Sequence, residues 1–473
     1  MSIDEAALIG ADAARLAELY RTGAADPVIV LDVVRARAKY VDTLTNAVAV
    51  FDDGFARRAA EDSAERWRHG APLGPLDGVP VSIKDSFPMR GLKRWHGSAI
   101  HDDLPPSTID GAPVRRLREA GAVLFAKTSM PDFGMLGAGV SSQFGVVRNP
   151  WDLSGNPGGS SSGSGVLVAS GAGPLSLGTD VAGSVRIPAA LCGLVGVKPT
   201  QGRIAYDPPK LLGSAGPLAR TVADARALLD VVGHPDASDH LSLPRGSSES
   251  TGKHYRIAGL EVAVAPLSGH AGVVDAEVAE AVEAQVEVLA RAGAQITRLD
   301  APIVSAEDTR LYWDVLLVRS LPELLDAPEE SWGVLPPVLL DRMLEHRDVP
   351  AVEQVRRERR MEQLRARIAG VVDRFDHVLT PVLPVIGWPA EEVAPDISSG
   401  HAMHLIFTWP YNLTGAPAAT VPVARSRSGM PIGVQLTGRH HRDSQLLSVL
   451  EHLESSRGFD LGIAEPAITG ARA

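Results

Sequence analysis

Apolar and polar positions follow two different periods along the chain, and these periods predict helices and strands. Residues 4–69 place apolar side chains such as Leu16, Leu19 and Tyr20 at helical spacing between charged residues, which predicts helices. Residues 78–85, GVPVSIKD, form a short apolar run that ends in charged residues, which predicts a buried strand. The chain therefore begins with helices and then enters a sheet.

The same order of elements returns further along the chain. Residues 112–128 predict a helix that stops at Gly121 and then a second buried strand, and residues 255–300 predict a strand, a helix and a strand. Residues 351–372 predict a charged helix, and the proline-rich residues 380–389 predict a loop or an edge strand. Helices that alternate with strands are typical of an α/β protein with a largely parallel or mixed sheet.

The composition is that of a globular protein: the 473 residues are 45% hydrophobic and 22% charged. The formal net charge of −11 argues against nucleic acid or an anionic membrane as a partner, because both favour a basic surface. The first residues lack a signal-peptide pattern, and no run of about 18 apolar residues would span a membrane. We therefore expect a soluble, cytoplasmic protein.

The chain contains a single cysteine, Cys192, which excludes an intramolecular disulfide and a cysteine-based metal cluster. This cysteine lies in an apolar segment, AALCGLVG, where we expect a buried structural thiol. We predict neither a metal site nor a cofactor.

One stretch, residues 155–188, concentrates glycine and serine, and apolar blocks interrupt it that a flexible linker does not need. A phosphate-binding loop would require a lysine at its end, and no lysine occurs between Lys127 and Lys198. The G-x-S-x-G match at 159–163 would make Ser161 a nucleophile, although polar residues precede it where that motif requires a strand. Histidines later in the chain keep this hypothesis open.

A lysine supplies another interpretation. Lys84 closes the strand predicted at 78–85, so its side chain is expected to be buried, and burial lowers the pKa of an amine. A neutral lysine can activate a serine as a general base, as histidine does in better-known triads. The alternative for Lys84 is an ion pair with the adjacent Asp85 or another carboxylate.

An ordered series of motifs resembles the amidase signature family of serine hydrolases. The likeness covers nearly the whole chain and is weakest in residues 235–255 and 300–410. The motifs are, in chain order, GVPVSIKD (78–85), AGAVLFAKTSMPDFGM (120–135), FGVVRNPWD (144–152), GGSSSGSG (158–165), LGTDVAGSVRIPAALCGLVGVKPTQGRI (177–204), GPLARTVADA (216–225), NLTGAPAATVPV (412–423) and GMPIGVQLTG (429–438).

The resemblance implies the fold and the reaction. The fold is a single amidase signature domain over residues 1–473, a large twisted mixed β-sheet covered on both faces by α-helices. Its core motifs lie in 78–225 and its variable substrate-pocket region at about 300–410. The reaction is hydrolysis of a small-molecule C–N bond, in a carboxamide, anilide or carbamate (urethane), to acid and amine, and esters fit the same chemistry. Chains of this family are often dimers, so a homodimer is one expectation.

The resemblance also assigns catalytic roles. Ser184 is the nucleophile, Ser160 the middle member and Lys84 the terminal base of a Ser–cisSer–Lys triad, with a cis peptide bond between Gly159 and Ser160. Lys84 takes a proton from Ser160, and Ser160 takes one from Ser184 as that serine attacks the carbonyl carbon. Water then hydrolyses the acyl-enzyme.

The same resemblance places an oxyanion hole at the backbone N–H groups of Val181, Ala182 and Gly183, together with that of Ser184. Small residues allow main-chain donors to approach the substrate closely. The family often has two glycines before its nucleophile, whereas this chain has Ala182-Gly183.

Two further residue pairs lie close to these motifs. Asp180 and Arg186 flank the nucleophile, and we expect a buried ion pair that holds the turn. Trp95 and His96 replace the threonine-rich turn usual after the family's lysine, so we expect them near the site entrance, where they would alter substrate choice.

Four residues are expected to contact the substrate: Gly134 and Met135 in the second motif, and Trp313 and Trp409 at the weakly matching end of the chain. Aromatic residues are only 5% of the chain, so aromatic side chains in this region favour apolar or aryl amides, including aryl carbamates.

The main competing hypothesis is a glutamine-hydrolysing amidotransferase subunit that passes ammonia to a partner chain acting on aminoacyl-tRNA. Residues 128–142 match the motif of that group poorly. A catalytically idle binding scaffold is a third hypothesis, but it has no need of Lys84, Ser160 and Ser184 together.

Overall fold

The structure is a computed structural model, and it describes residues 5–206, 209–244, 255–265, 274–395 and 403–466. An eleven-stranded mixed sheet in the order β1-β3-β2-β6-β8-β7-β12-β13-β11-β9-β10 forms its centre, and β4 pairs with β5 separately. The strands are β1 Val48–Phe51, β2 Pro80–Lys84, β3 Val123–Thr128, β4 Val140–Ser141, β5 Gly145–Val146, β6 Leu175–Asp180, β7 Val195–Lys198, β8 Ser214–Ala219, β9 Glu261–Val264, β10 Gln295–Arg298, β11 His377–Pro381, β12 Ala418–Arg425 and β13 Pro431–Gly438.

Helices pack against this sheet and against one another. They are α1 Glu5–Ile9, α2 Ala13–Thr22, α3 Pro27–Thr45, α4 Phe55–Arg68, α5 Ala112–Glu119, α6 Ser162–Ala169, α7 Arg186–Cys192, α8 Val222–Val232, α9 Ala276–Arg291, α10 Ala306–Leu325, α11 Pro337–Leu344, α12 Ala351–Val372, α13 Pro410–Thr414 and α14 Asp443–Ser456. Short 3₁₀ helices span Ala99–His101, Asp132–Gly134, Glu329–Val334 and Met403–Leu405. The α/β class with a large mixed sheet is thus confirmed.

The centre of the sheet determines where side chains can meet. Strand β2 lies between β3 and β6 and runs parallel to both, and every residue of β2 and β6 is buried. Lys84 ends β2 and Asp180 ends β6, so both lie at the same edge of the sheet. Crevices at the carboxyl ends of parallel strands are common ligand sites in α/β proteins.

Helix α10 begins at a well-defined cap. The Ser305 hydroxyl accepts a hydrogen bond from the Asp308 N–H, and the Asp308 carboxylate accepts one from the Ser305 N–H, which together form a capping box. Leu311 and Val315 of this helix pack with Leu364 and Ile368 of α12 in an apolar cluster. The cap and the packing fix the position of a helix that faces the site described below.

Two sequence-based expectations for the fold are wrong. The segment 4–69, predicted as helices, contains strand β1, whose β-branched Val48 and Val50 pair antiparallel with β3. The segment predicted as a loop or edge strand contributes Thr380 and Pro381 to the interior strand β11. The proline is tolerated because pairing with β9 already ends at Leu379.

The predicted charged helix at 351–372 coincides with α12, and the helix and strand predicted at 112–128 correspond to α5 and β3. None of the helices in the described ranges combines the length and the apolar composition that crossing a membrane requires.

Candidate active site

Lys84 is completely buried at the end of β2. Its ammonium nitrogen lies 2.8 Å from the hydroxyl oxygen of Ser160 and 2.9 Å from that of Thr179. Burial holds the pKa of Lys84 well below its usual range; the carboxylate of Asp180 opposes this effect, and the positive charge of Lys210 adds to it. A lysine in this state can accept a proton from the Ser160 hydroxyl.

Ser160 follows a cis peptide bond to Gly159, as the resemblance leads us to expect. No side chain fits at Gly159, because a Cβ there would lie 2.5 Å from the carbonyl oxygen of Ala138. Gly134 approaches from another side, since a Cβ on it would lie 3.2 Å from the Ser160 hydroxyl oxygen. These two glycines allow the backbone to close around Ser160.

Ser184 lies in the turn between β6 and α7 and faces a cavity. The Ser161 N–H donates to the Ser184 carbonyl oxygen at 3.1 Å, which ties the two serine segments together. Gly183 has φ +117°, and a Cβ there would lie 2.5 Å from the Thr408 hydroxyl oxygen. Only glycine combines that backbone conformation with so close a neighbour.

The expected ion pair between Asp180 and Arg186 is present and fully buried. The guanidinium contacts both carboxylate oxygens, at 2.8 and 3.0 Å, and also donates to Gln435 and Asn412. Burial alone would raise the pKa of Asp180, but the charge and hydrogen bonds of Arg186, together with Asn412 and the Val185 N–H, hold it well below its usual range. The carboxylate therefore stays ionised and anchors the turn.

The backbone donors of this turn differ in what they bind. The Gly183 N–H, which the resemblance assigns to the oxyanion hole, donates to the Asp180 carboxylate at 2.7 Å. The N–H groups of Val181 and Ala182 have no acceptor within hydrogen-bonding distance in the described part of the chain. The Tyr312 hydroxyl donates to the Val181 carbonyl at 2.5 Å, which fixes the peptide that carries the Ala182 N–H.

Thr408 holds the next peptide of the turn. Its hydroxyl donates to the Ala182 carbonyl at 2.5 Å, and the opposite end of that peptide is the Gly183 N–H that meets Asp180. Ala182 is not among the non-glycine residues with positive φ, so an alanine at this position introduces no backbone strain. Sequence analysis did not identify Thr408 or Tyr312 as parts of this turn.

The cavity over Ser184 has a volume of about 310 Å³. Of the four predicted substrate contacts, Gly134, Met135 and Trp313 line it. Trp409 does not: it is completely buried and stacks on Tyr312, with ring centroids 4.8 Å apart. The lining residues are Phe133, Gly134, Met135, Leu136, Gly137, Gly159, Val181, Ala182, Ser184, Ile187, Pro209, Lys210, Leu211, Leu212, Gly213, Trp313, Leu316, Arg319, Ser320 and Leu405.

Three other residues singled out in the sequence lie away from the cavity. Ser161 is buried and donates to the Thr179 carbonyl at 3.3 Å, and no strand precedes it, so the nucleophile-elbow hypothesis loses support. Cys192 is buried, as expected, and burial raises the pKa of its thiol. His96, expected near the entrance, is buried against Glu323, with Nδ1 2.5 Å from a carboxylate oxygen.

Sequence analysis also missed residues that line the cavity. Lys210 and Leu211 lie on the loop before β8, and Arg319 and Ser320 lie on α10. No motif marks these positions, because the loop and the helix belong to stretches where the family resemblance is broken or weak. Within the described ranges, no three His, Cys, Asp or Glu side chains gather closely enough to hold a metal ion.

Comparison with known proteins agrees with this geometry. The sequence model of the Amidase family matches residues 30–447. An acylamidase of Rhodococcus erythropolis is 33% identical over 446 residues, which are 90% of this chain and 92% of the relative. The glutamyl-tRNA(Gln) amidotransferase of Symbiobacterium thermophilum has one subunit that is 32% identical, over 92% of this chain and 95% of the relative.

A solved structure of 6-aminohexanoate cyclic dimer hydrolase, complexed with substrate, superposes with a TM-score of 0.81 and 28% identity, over 95% of this chain and 98% of that one. The chain therefore belongs to the amidase signature family. It is an enzyme that hydrolyses carbon–nitrogen bonds other than peptide bonds.

Proposed function

We propose that this amidase hydrolyses small-molecule amides through an acyl-enzyme on Ser184, with Ser160 and Lys84 as the proton relay. The observation that carries the proposal is the 2.8 Å contact between the Lys84 nitrogen and the Ser160 hydroxyl, made in full burial beside a serine that faces a cavity. Carboxamides and anilides are the substrates we favour, and esters and carbamates (urethanes) react by the same steps.

The reaction begins with two linked proton transfers. Neutral Lys84 accepts a proton from Ser160, and Ser160 accepts one from Ser184 as the Ser184 oxygen attacks the amide carbonyl carbon. The relay then returns a proton to the leaving amine nitrogen as the C–N bond breaks. Water attacks the resulting ester by the same relay, which releases the acid and restores Ser184.

The developing oxyanion requires fixed hydrogen-bond donors. We assign this role to the N–H groups of Val181 and Ala182, with that of Ser184, because the Gly183 N–H is held by Asp180. Tyr312 supports the assignment, since its bond to the Val181 carbonyl turns the Ala182 N–H to the opposite side of that peptide. Loss of one such donor typically raises the barrier by about 3–4 kcal/mol.

The cavity favours substrates with an apolar body. Phe133, Leu136, Ile187, Leu212 and Leu316 contribute apolar side chains to its wall. A volume of about 310 Å³ lies at the small end of ligand pockets, which suits a substrate the size of an anilide or a short aliphatic amide.

The competing function is glutamine hydrolysis in a complex with a partner chain, which the 32% identity to an amidotransferase chain keeps in view. Free glutamine carries an α-ammonium group beside its carboxylate. No Asp or Glu lines the described cavity to receive that ammonium, which weighs against glutamine.

A fluorophosphonate probe followed by peptide mass spectrometry tests the assigned roles. We expect one adduct, on Ser184, that is lost in Ser184→Ala and nearly lost in Lys84→Met and Ser160→Ala. Ser161→Ala is the matched control from the same stretch, and it should label like wild type. An adduct on Ser161 would contradict the assignment, and hydrolysis of glutamine but not of acetanilide would favour the competing function.

A further inference from the structure

The cavity carries a charge opposite to that of the protein as a whole. The chain has a formal net charge of −11, yet the two ionised side chains in the cavity lining are Lys210 and Arg319, and no Asp or Glu accompanies them. A basic cavity in an acidic protein concentrates anions at the site, because charge of one sign in a confined, poorly solvated space focuses the potential.

Lys210 carries the less compensated of these two charges. In the described ranges no carboxylate lies within ion-pairing distance of its ammonium group, which lies 5.6 Å from the centre of the Tyr206 ring. Lys127 shows the contrast, because its buried ammonium lies 2.6 Å from the Asp85 carboxylate. The Lys210 charge therefore remains available to a ligand.

The position of Lys210 places this charge beside the reacting groups. Its aliphatic stem lies against Gly213, where a Cβ would be 3.1 Å from the Lys210 Cβ and 3.8 Å from the Val181 side chain. Val181 belongs to the turn assigned to the oxyanion, so the stem lies on that side of the cavity. The charge also acts on Lys84, whose pKa it lowers.

Arg319 adds a second, weaker attraction. One of its nitrogens lies 3.2 Å from Glu358, and both side chains are partly exposed. This surface pair is only loosely held, so the guanidinium still contributes positive potential to the cavity it lines.

We propose, building on the amidase function above, that the preferred substrates carry a carboxylate away from the scissile amide and that Lys210 binds it. A neutral apolar substrate would strip water from the Lys210 ammonium and give nothing in return, which is costly. A carboxylate replaces that water with a charge-assisted hydrogen bond while the apolar body fills the rest of the cavity. Lys210 thus acts as a specificity-determining residue.

The carboxylate has two possible origins, the acyl part or the amine part of the amide. The test therefore uses two matched pairs: glutaryl against pentanoyl p-nitroanilide, and 4-acetamidobenzoate against acetanilide. The readout is the ratio of kcat/KM for the anionic member to that for the neutral member, measured on the pH plateau of each variant.

We expect this ratio to fall at least tenfold in Lys210→Met for one or both pairs, since a hydrogen bond to a charged group is worth about 1.5–3 kcal/mol. Lys210→Arg should retain most of the preference. Lys39→Met is the control, because Lys39 is exposed and lies on α3, away from the cavity lining, so its ratio should equal that of wild type. A ratio that Lys210→Met leaves unchanged in both pairs overturns the proposal.

A binding measurement separates this proposal from the amidase function itself. Calorimetric titration of Ser184→Ala with 4-acetamidobenzoate and with acetanilide requires no turnover. We expect tighter binding of the carboxylate, lost in Ser184→Ala/Lys210→Met. Equal affinity for both ligands in Ser184→Ala, with either pair hydrolysed by wild type, would refute the role of Lys210 and leave the amidase function standing.

Discussion

Asp180 and Arg186 enclose the nucleophile in sequence and bind each other in space, with both side chains fully buried. The carboxylate also receives the N–H groups of Gly183 and Val185, on either side of Ser184. One ion pair therefore fixes both ends of the catalytic turn. Its cost and its benefit are both large, because two desolvated charges are stable only while each has the other.

Arg186→Met should destabilise the protein strongly, because it leaves the buried Asp180 carboxylate without its cation. We expect a loss of about 3–5 kcal/mol in the free energy of unfolding, measured by urea denaturation. Arg298→Met, which breaks an exposed pair with Glu283, is the control and should cost less than about 1 kcal/mol. Equal losses in the two variants would show that the buried pair does not anchor the turn.

The pH dependence of kcat/KM should follow the protonation of Lys84. Activity requires the neutral amine, so it falls as the pH drops through the pKa of Lys84, which burial holds well below its usual range. Asp180 and Asp85 raise this pKa and Lys210 lowers it. Lys210→Met removes a positive charge, so the acid limb should move to higher pH.

Lys39→Met, which changes an exposed lysine away from the cavity, should leave the acid limb where it is in wild type. Initial rates with acetanilide across the pH range provide the measurement. A limb that moved to lower pH in Lys210→Met would contradict Lys84 as the titrating base.

Gly134→Ala should impair catalysis by crowding Ser160. Gly134 has φ +70°, and the added Cβ would lie 3.2 Å from the Ser160 hydroxyl oxygen. Gly429→Ala is a matched control, since Gly429 has φ +89° but nothing within 4 Å of an added Cβ. Both variants bear the backbone strain of about 1–2 kcal/mol, and only Gly134→Ala should also lose at least tenfold in kcat. A similar kcat for the two variants would mean that Ser160 tolerates the methyl group.

The tryptophans at 313 and 409 should respond differently to truncation. Trp409→Ala removes a fully buried ring that stacks on Tyr312, so we expect a loss of about 3–5 kcal/mol in the free energy of unfolding. Trp313→Ala opens the cavity wall and should raise KM for anilides severalfold at a smaller cost in stability. Thermal unfolding and Michaelis–Menten kinetics on both variants decide the matter, and the reverse pattern would contradict the cavity assignment.

Much of this site was predictable from the sequence because its chemistry depends on residues that backbone geometry restricts. A lysine that closes a buried strand, as Lys84 does, has few stable environments, and the motifs around Ser160 and Ser184 resemble those of one family. The partnership of Asp180 and Arg186 followed from opposite charges six positions apart in a buried turn. These features are local, so the sequence carries them.

The cavity wall was less predictable because it depends on how distant elements pack. Tyr312 and Trp313 are neighbours on α10, but successive helical residues point in different directions, so one contacts Trp409 while the other faces the cavity. Lys210 lies in a loop without a motif, and nothing in its neighbours along the chain reveals that it reaches the active site. Only the tertiary arrangement distinguishes these residues.

The chemical groups and the cavity walls come from separate parts of the chain. The base and both serines lie on or beside β2 and β6, in the rigid centre of the sheet, whereas the wall also draws on residues 209–213 and on α10. Mutation can therefore explore new substrates in the loop and the helix while the machinery of bond cleavage is inherited intact. Laboratory evolution of this enzyme toward other amides should begin at Leu211, Trp313 and Leu316, where change leaves the proton relay untouched.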